Sequence, residues 1–384
     1  MINKKRLIKL AQKLIKIDSE NPPGNETPIA DFLRGYIKGL GIRTRIYAFK
    51  KKRPNLVAYL EGKKNKRSLL ITPHLDTVPA GKSWGLDPLA AKIIDNKIYG
   101  LGATDCKGNI ACAVEAINSL VEDKKVLAYN LIFAATADEE CGSALGLIPL
   151  LDKGILRPDA ALVLDADDFE IIVTQKGLIH LKVKIEGRRA HGAYPYLGVN
   201  AIDIALEVIS RIKHHKFPYR KNKYLKAPTL NVGTFRGGDK VNVVADWCEF
   251  ELDFRFLPGT RAGDILDVLR AALSKHAKKF KIEIQGIQQP YAISEKHPLV
   301  SYLKKAMRSC SVNPRLKGSE GATVITFFQD KNIPAIASGF GSAGCAHSSN
   351  EYAKIANLYK GAQVLEKFLT SYKFQQFYFN KKEQ

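Results

Sequence analysis

Three short, fully apolar runs, 69–72, 131–135 and 160–164, alternate with helical patterns at 4–17, 27–40 and 109–122. A strand that is apolar on both faces cannot lie against water on either. It belongs in a mostly parallel sheet sandwiched between helices. This constraint gives residues 1–176 an α/β class with a three-layer α/β/α architecture. A further strand at 333–338 and a helix at 353–371 resume the pattern near the C-terminus. The stretch between reads differently. Strand 178–186, helix 199–213, strands 229–235 and 247–256, helix 262–279 and strand 281–287 follow the β-α-β-β-α-β order of a split βαβ, ferredoxin-like module. Polar and apolar residues alternate through His180-Leu181-Lys182-Val183-Lys184-Ile185, which suits a sheet with one wet face. The chain, at 384 residues, exceeds what one core usually serves. The sequence therefore predicts a larger domain formed by 1–176 and 290–384, with a smaller α+β domain inserted at 177–289.

Composition narrows the classes. The apolar fraction is 45%, ordinary for a soluble globular chain, and no stretch approaches eighteen consecutive apolar residues. A membrane span is excluded on that count. Leu7, Leu10, Leu14 and Ile17 recur at helical spacing in a Lys-rich start, which fits a first domain helix better than an apolar signal core. No acid precedes Asp18, as in a transit peptide, but Ser and Arg are scarce; a cytoplasmic protein is expected. Six cysteines without a C-x-x-C pair read as reduced thiols packed as small hydrophobes. Cys106, Cys141 and Cys345 lie near candidate ligands, but a neighbour on an extended segment points away from the ligand it follows. The net charge of +22 comes from 60 basic and 38 acidic residues, with lysines spread over the whole chain. No basic run is interleaved with stacking aromatics, so solvated faces explain the charge better than a nucleic-acid surface.

The polar residues of interest sit where the apolar runs stop. In open α/β sheets ligands bind beyond the carboxyl ends of the strands. Run 69–72 leads to Pro73-His74-Leu75-Asp76, run 131–135 to Asp138-Glu139-Glu140, run 160–164 to Asp165, and run 333–338 to a Gly-rich loop before His347. Asp105 lies in another Gly-rich loop, at a helix start. His74, Asp105, Glu140, Asp165 and His347 make two sets of imidazole plus carboxylate, with one carboxylate to share and one neighbour left as a base. Two ligand sets and a base are what a two-metal hydrolase needs. Glu139 and Glu140 are adjacent and point apart, so one binds while the other faces the attacking water. In His74-Leu75-Asp76 the two polar side chains point the same way, so Asp76 can bond the ring nitrogen that His74 leaves free.

These segments resemble the co-catalytic zinc amidohydrolases and peptidases, the family of aminoacylase, acetylornithine deacetylase, succinyl-diaminopimelate desuccinylase and bacterial glutamate carboxypeptidase. The resemblance is carried by His74-Leu-Asp-Thr-Val-Pro-Ala-Gly81, Tyr99-Gly-Leu-Gly-Ala-Thr-Asp-Cys-Lys-Gly108, Thr136-Ala-Asp-Glu-Glu140 and Gly187-Arg-Arg-Ala-His-Gly192. Asn200-Ala-Ile202 and His347 with the following Glu351 extend it over nearly the whole chain. The resemblance implies two Zn2+ per subunit, bridged by Asp105 at about 3.5–4 Å from one another. It implies His74 and Asp165 on one metal, Glu140 and His347 on the other, and Glu139 as general base toward the bridging water. His191 would stabilise an oxyanion, in some relatives across a dimer interface, and Asn242 and Arg255 would bind substrate. The inserted module would then be a lid and dimerisation domain, and the protein a homodimer. His and carboxylate ligands also accept cobalt or manganese.

Departures bear on the substrate. Asp165 stands where several relatives carry Glu, and Cys106 where Met or Ser is more usual. Gly318-Ser-Glu-Gly-Ala-Thr323 replaces a Thr-Asp pair with Ser319-Glu320, and an Arg that follows this pair in many desuccinylases is missing. The resulting expectation is hydrolysis of an amide bond in an N-acyl amino acid, of the acetylornithine or succinyl-diaminopimelate kind. A dipeptidase or carboxypeptidase is the alternative. Neither a nucleic acid nor a membrane is expected as a partner. A non-catalytic basic binding protein would need a broken site, and all five ligands and the base are present.

Overall fold

The computed structural model describes residues 1–63 and 67–375. The chain forms two compact units. The larger comprises Met1–Val173, Ile293–Lys317 and the described residues from Phe327 onward; the smaller comprises Thr174–Ala292 and Gly318–Thr326.

In the larger unit, strands Asn130–Ala135, Ser68–Thr72, Ala160–Val163 and Ala335–Ser338 lie side by side in that order, every pairing parallel. Successive side chains of a strand point to opposite faces. Leu69, Leu70 and Ile71 are all buried, as are Ala160, Ala161, Leu162 and Val163, so both faces of the sheet are covered. This is the sandwich that the apolar runs demand. Helices Lys4–Ile15, Lys107–Glu122, Ile355–Ser371 and Pro298–Ser309 pack against one another in succession. The first is anchored by Arg6, whose guanidinium meets the buried carboxylate of Glu115 at 2.7 Å.

Antiparallel strands widen this parallel centre. Pro54–Leu60 pairs with Asn130–Ala135, Arg43–Ala48 lies outside it, and Glu170–Gln175 runs antiparallel to Ala335–Ser338. Arg43–Ala48 is nowhere fully buried and carries no apolar run, while Pro54–Leu60 and Glu170–Gln175 are mostly buried but mix polar residues such as Asn55, Thr174 and Gln175 into the strand, so none shows as a fully apolar run. Element ends also shift. Tyr352–Lys354 forms a short strand that takes the start of the helix expected from 353, and the helix expected from 109 begins at Lys107.

The smaller unit is a four-stranded antiparallel sheet in the order Thr229–Gly237, Trp247–Phe256, Gly177–Glu186, Lys279–Gln288. Helices Ala201–His214 and Ala262–His276 close it, so the chain runs β-α-β-β-α-β as its periodicity predicts. Leu181, Val183 and Ile185 join Phe250, Leu252 and Phe254 in one core with Ala205, Val208, Leu266 and Leu269 of the helices. The alternate residues carry charge: Lys182 pairs with Glu249 at 3.3 Å and Lys184 with Glu283 at 3.1 Å.

The two faces of this sheet should respond differently to truncation. Phe250, fully buried, should cost about 3–5 kcal/mol on replacement by Ala, because a cavity is left. Lys184→Ala, on the wet face, should cost under about 1 kcal/mol. Denaturant midpoints of the two variants would check this, and equal shifts would contradict the assignment of the core face.

Candidate metal centre

The parallel strands deliver their polar residues to one edge of the sheet. Beyond Thr72 the chain continues alongside its neighbour: His74 bridges Thr136, and Leu75 N–H donates to Thr136 O at 2.7 Å. Leu164, next to Asp165, donates its N–H to Thr72 O at 3.0 Å. After Ser338 the chain passes so close to its neighbour that a Cβ on Gly339 would sit 1.5 Å from Ala166 O. Only glycine fits there, which gives the Gly-rich loop before His347 its physical reason. Asp105 ends the turn that starts the helix Lys107–Glu122.

Asp105 lies between the two histidines. Its Oδ1 is 2.8 Å from His74 Nε2 and its Oδ2 is 3.1 Å from His347 Nε2. Glu140 Oε2 lies 3.1 Å from the same His347 nitrogen, and Asp165 Oδ1 lies 3.9 Å from His74 Nε2. Two groups thus share one carboxylate: His74, Asp105 and Asp165 on one side, Asp105, Glu140 and His347 on the other. Glu140, not Glu139, faces His347.

Two sequence expectations need correction. His74 Nδ1 donates to the main-chain oxygen of Asp76 at 2.9 Å, while the Asp76 carboxylate is farther away, at 3.6 Å. The main chain thus fixes the ring and leaves Nε2 turned to Asp105. The Asp76 carboxylate instead accepts the N–H groups of Glu139 and Glu140, both at 3.1 Å, and the amide of Asn21 at 2.8 Å. Cys106 is the second correction. Its Sγ lies within the His74 and Asp105 group, because the chain turns there and is not extended. The thiol is spoken for: it accepts from His74 N at 3.1 Å and lies 3.2 Å from His74 O. Burial pushes it up to about 12, so it stays protonated.

Three further residues, Asp138, Arg53 and Glu26, shape the site. Asp138 sits in the left-handed region at φ 68°, a conformation costly for a non-glycine residue. Its carboxylate holds that turn through Leu145 N–H at 3.0 Å and the Arg53 guanidinium at 2.9 Å. Arg53 in turn meets Glu26 at 2.7 Å, and all three are buried. Nothing in the periodicity of 20–60 marks Glu26 or Arg53, since their partners are remote in sequence.

The electrostatics of the centre are one-sided. Four carboxylates, Asp105, Glu139, Glu140 and Asp165, face two imidazoles. Burial and then the Asp105 charge push Asp165 up to about 7. Burial and the Asp165 charge likewise raise Glu139 well above the usual carboxylate range. Burial works upward on Asp105 too, but hydrogen bonds from His347 and His74 overcome it and hold its carboxyl low. His347 is raised to about 10 by its bonds to Asp105 and Glu140. Hard oxygen donors and imidazole nitrogens with excess negative charge fit a pair of divalent cations.

The other three predicted residues lie in the smaller unit. His191 bridges Val243, and Gly192 N–H donates to Asn242 O at 2.8 Å, so His191 and Asn242 adjoin on two exposed loops. Arg255 lies in the strand Trp247–Phe256 and is engaged by Asp253, Nε to Oδ1 at 2.6 Å and Nη2 to Oδ2 at 2.9 Å. A carboxylate approaching Arg255 would have to use the guanidinium edge that Asp253 leaves.

Comparison with known proteins follows the same lines. The sequence profile of peptidase family M20/M25/M40 matches residues 70–371. An acetylornithine deacetylase of Pasteurella multocida (strain Pm70) is 29% identical over 367 residues, covering 92% of this chain and 93% of that one. The crystal structure of an aminopeptidase PepT from Bacillus cereus superimposes with a TM-score of 0.81 at 25% identity, over 96% of this chain and 98% of that one. The YXEP protein of Bacillus subtilis, described as a dinuclear metal binding peptidase, has the same fold, with a TM-score of 0.74 at 16% identity over 96% of this chain and 97% of that one.

The buried Glu26–Arg53–Asp138 chain yields a stability prediction. Arg53→Met would leave two buried carboxylates without their cation, a loss of about 3–5 kcal/mol. Chemical denaturation would read it; a loss under about 1 kcal/mol would show that the pairs do not hold the turn.

Proposed function

Because the chain belongs to peptidase family M20/M25/M40, whose members hydrolyse amide bonds, we propose that it is a two-metal amidohydrolase that deacylates an N-acyl amino acid, with acetylornithine the first candidate. The observation that carries the reading is Asp105, with one oxygen toward His74 and the other toward His347. His74, Asp105 and Asp165 would hold one metal, and Asp105, Glu140 and His347 the other. Zinc is the natural occupant, and cobalt or manganese would substitute. When bound, the pair would polarise the scissile carbonyl and make a water nucleophilic near neutral pH.

The chain's own groups do the rest. His74 is held by the Asp76 main chain, so its ring presents Nε2 alone. Glu139, whose carboxyl lies among the charges of Asp165, His74 and Asp105, would take the proton from the attacking water and return it to the leaving nitrogen. A raised carboxyl suits that exchange, since the group must both accept and release the proton. The Asp76 carboxylate, bonded to the Glu139 and Glu140 amides, would keep base and ligand in their separate directions. His191 would donate to the oxyanion and Asn242 and Arg255 would bind the substrate, roles that rest on residue type and motif.

The acetylornithine deacetylase relatives support the acyl substrate. The aminopeptidase likeness in fold supports a second reading, release of an amino acid from a short peptide. The missing Arg after Ser319-Glu320 weighs against a succinyl-diaminopimelate substrate. The reading extends to a cytoplasmic homodimer joined through the smaller unit, where Tyr196, Leu197 and Leu206 are exposed apolar side chains. Sedimentation of a monomer at micromolar concentration would remove the dimer.

A panel of N-acetylornithine, N-succinyl-diaminopimelate, N-acetyl amino acids and dipeptides tests the substrate, using apo-protein with and without zinc. Zinc-dependent amine release from N-acetylornithine is the expected result; release from dipeptides alone would favour the second reading. Glu139→Gln should lower kcat by about 10²–10⁴ with both metals retained. Turnover like that of the wild type would remove Glu139 as the base.

A further inference from the structure

Glu351 is 1% exposed, yet it takes no part in the chemistry proposed above. Its carboxylate gathers the turn that ends in Asp105. Oε2 accepts Gly102 N–H at 2.9 Å, while Oε1 accepts Thr104 N–H at 2.7 Å and Asp105 N–H at 2.9 Å. The main chain of the same segment adds two bonds: Gly100 N–H donates to Glu351 O at 2.9 Å, and Thr104 Oγ1 donates to Tyr352 O at 2.8 Å. On the helix side of the turn Lys107 is fully buried, its Nζ donating to Ile17 O at 2.7 Å. A buried carboxylate is costly unless its lone pairs are satisfied. Here the amides of the Asp105 turn satisfy them, so the acid and the turn fix each other.

We propose that Glu351 is a positioning residue that sets metal affinity by fixing the Asp105 main chain. The proposal rests on the two-metal reading. Asp105 must present its two oxygens to two different histidines at once, a demand that tolerates little rotation of the peptide before it. Of the three amides held by Glu351, one belongs to Asp105 itself and one to the residue before it. A glutamine at 351 would aim an N–H₂ donor at one or more N–H donors and release part of the turn. An aspartate would keep the charge but fall one methylene short of the amides.

The test titrates apo-protein with Co2+ by calorimetry, in the wild type, Glu351→Gln and Glu351→Asp. Glu115→Gln is the control, since Glu115 is as deeply buried but pairs with Arg6 on the helix surface. The wild type should take two equivalents. Glu351→Gln should bind them about 10–100-fold more weakly, the range for loss of a group that orients a ligand, while Glu115→Gln binds as the wild type does. If Glu351→Gln does not fold, Glu351→Asp carries the same expectation. Wild-type affinity in the folded variant would overturn the proposal, as would an equal loss in Glu115→Gln, which would mark general destabilisation. A wild-type chain that binds no cobalt would bring down the two-metal reading instead.

Discussion

Four carboxylates brought to one edge of a rigid sheet are the constraint around which the larger unit is built. Burial first, and the neighbouring like charges after it, resist ionisation and push Glu139 and Asp165 upward. A chain folding for stability alone would scatter these groups. Here the parallel pairing of four buried strands forces their ends together, and the energy that supports the crowding comes from the apolar sandwich behind them. Asp105 resolves part of the conflict by facing a histidine with each oxygen. The remaining negative charge is the strongest physical argument that cations belong in the centre.

The site is held by a layer of buried polar groups that never reach the reacting atoms. Asp76 binds the amides of the Glu139–Glu140 turn, Arg53 ties Asp138 to Glu26, and Glu351 binds the amides of the Asp105 turn. Asp76 and Glu351 act on main chain, and Arg53 acts on the side chain that holds the Asp138 turn, so each fixes direction and leaves the ligand side chain free to respond to a metal. Ligand geometry depends on such supports as much as on the ligands themselves. The left-handed Asp138 and the close passage at Gly339 show backbone bent to the same purpose, in conformations the neighbours enforce.

How much of this was legible depends on how far each signal travels along the chain. The parallel strands and their terminal residues could be read because apolar period and adjacent polar cluster are local. The smaller unit's wet and dry faces could be read for the same reason, from the alternation in 180–185. The strand Arg43–Ala48 was missed because a half-exposed edge strand looks like polar loop. At Asp76 the shared direction with His74 is a local signal, but the bond to the ring comes from the main-chain oxygen and not the carboxylate. Glu26, Arg53 and Asn21 left no mark, since ion pairs between remote residues have no period. Cys106 departs from the extended-chain rule because it lies in a turn.

The central claim is that one aspartate is shared by two metal sites. Anomalous diffraction at the zinc edge, from crystals of the zinc-loaded protein, tests it most directly. The account predicts two peaks, one against His74, Asp105 and Asp165 and one against Asp105, Glu140 and His347. A single peak, or a pair in which Asp105 touches only one, would contradict it.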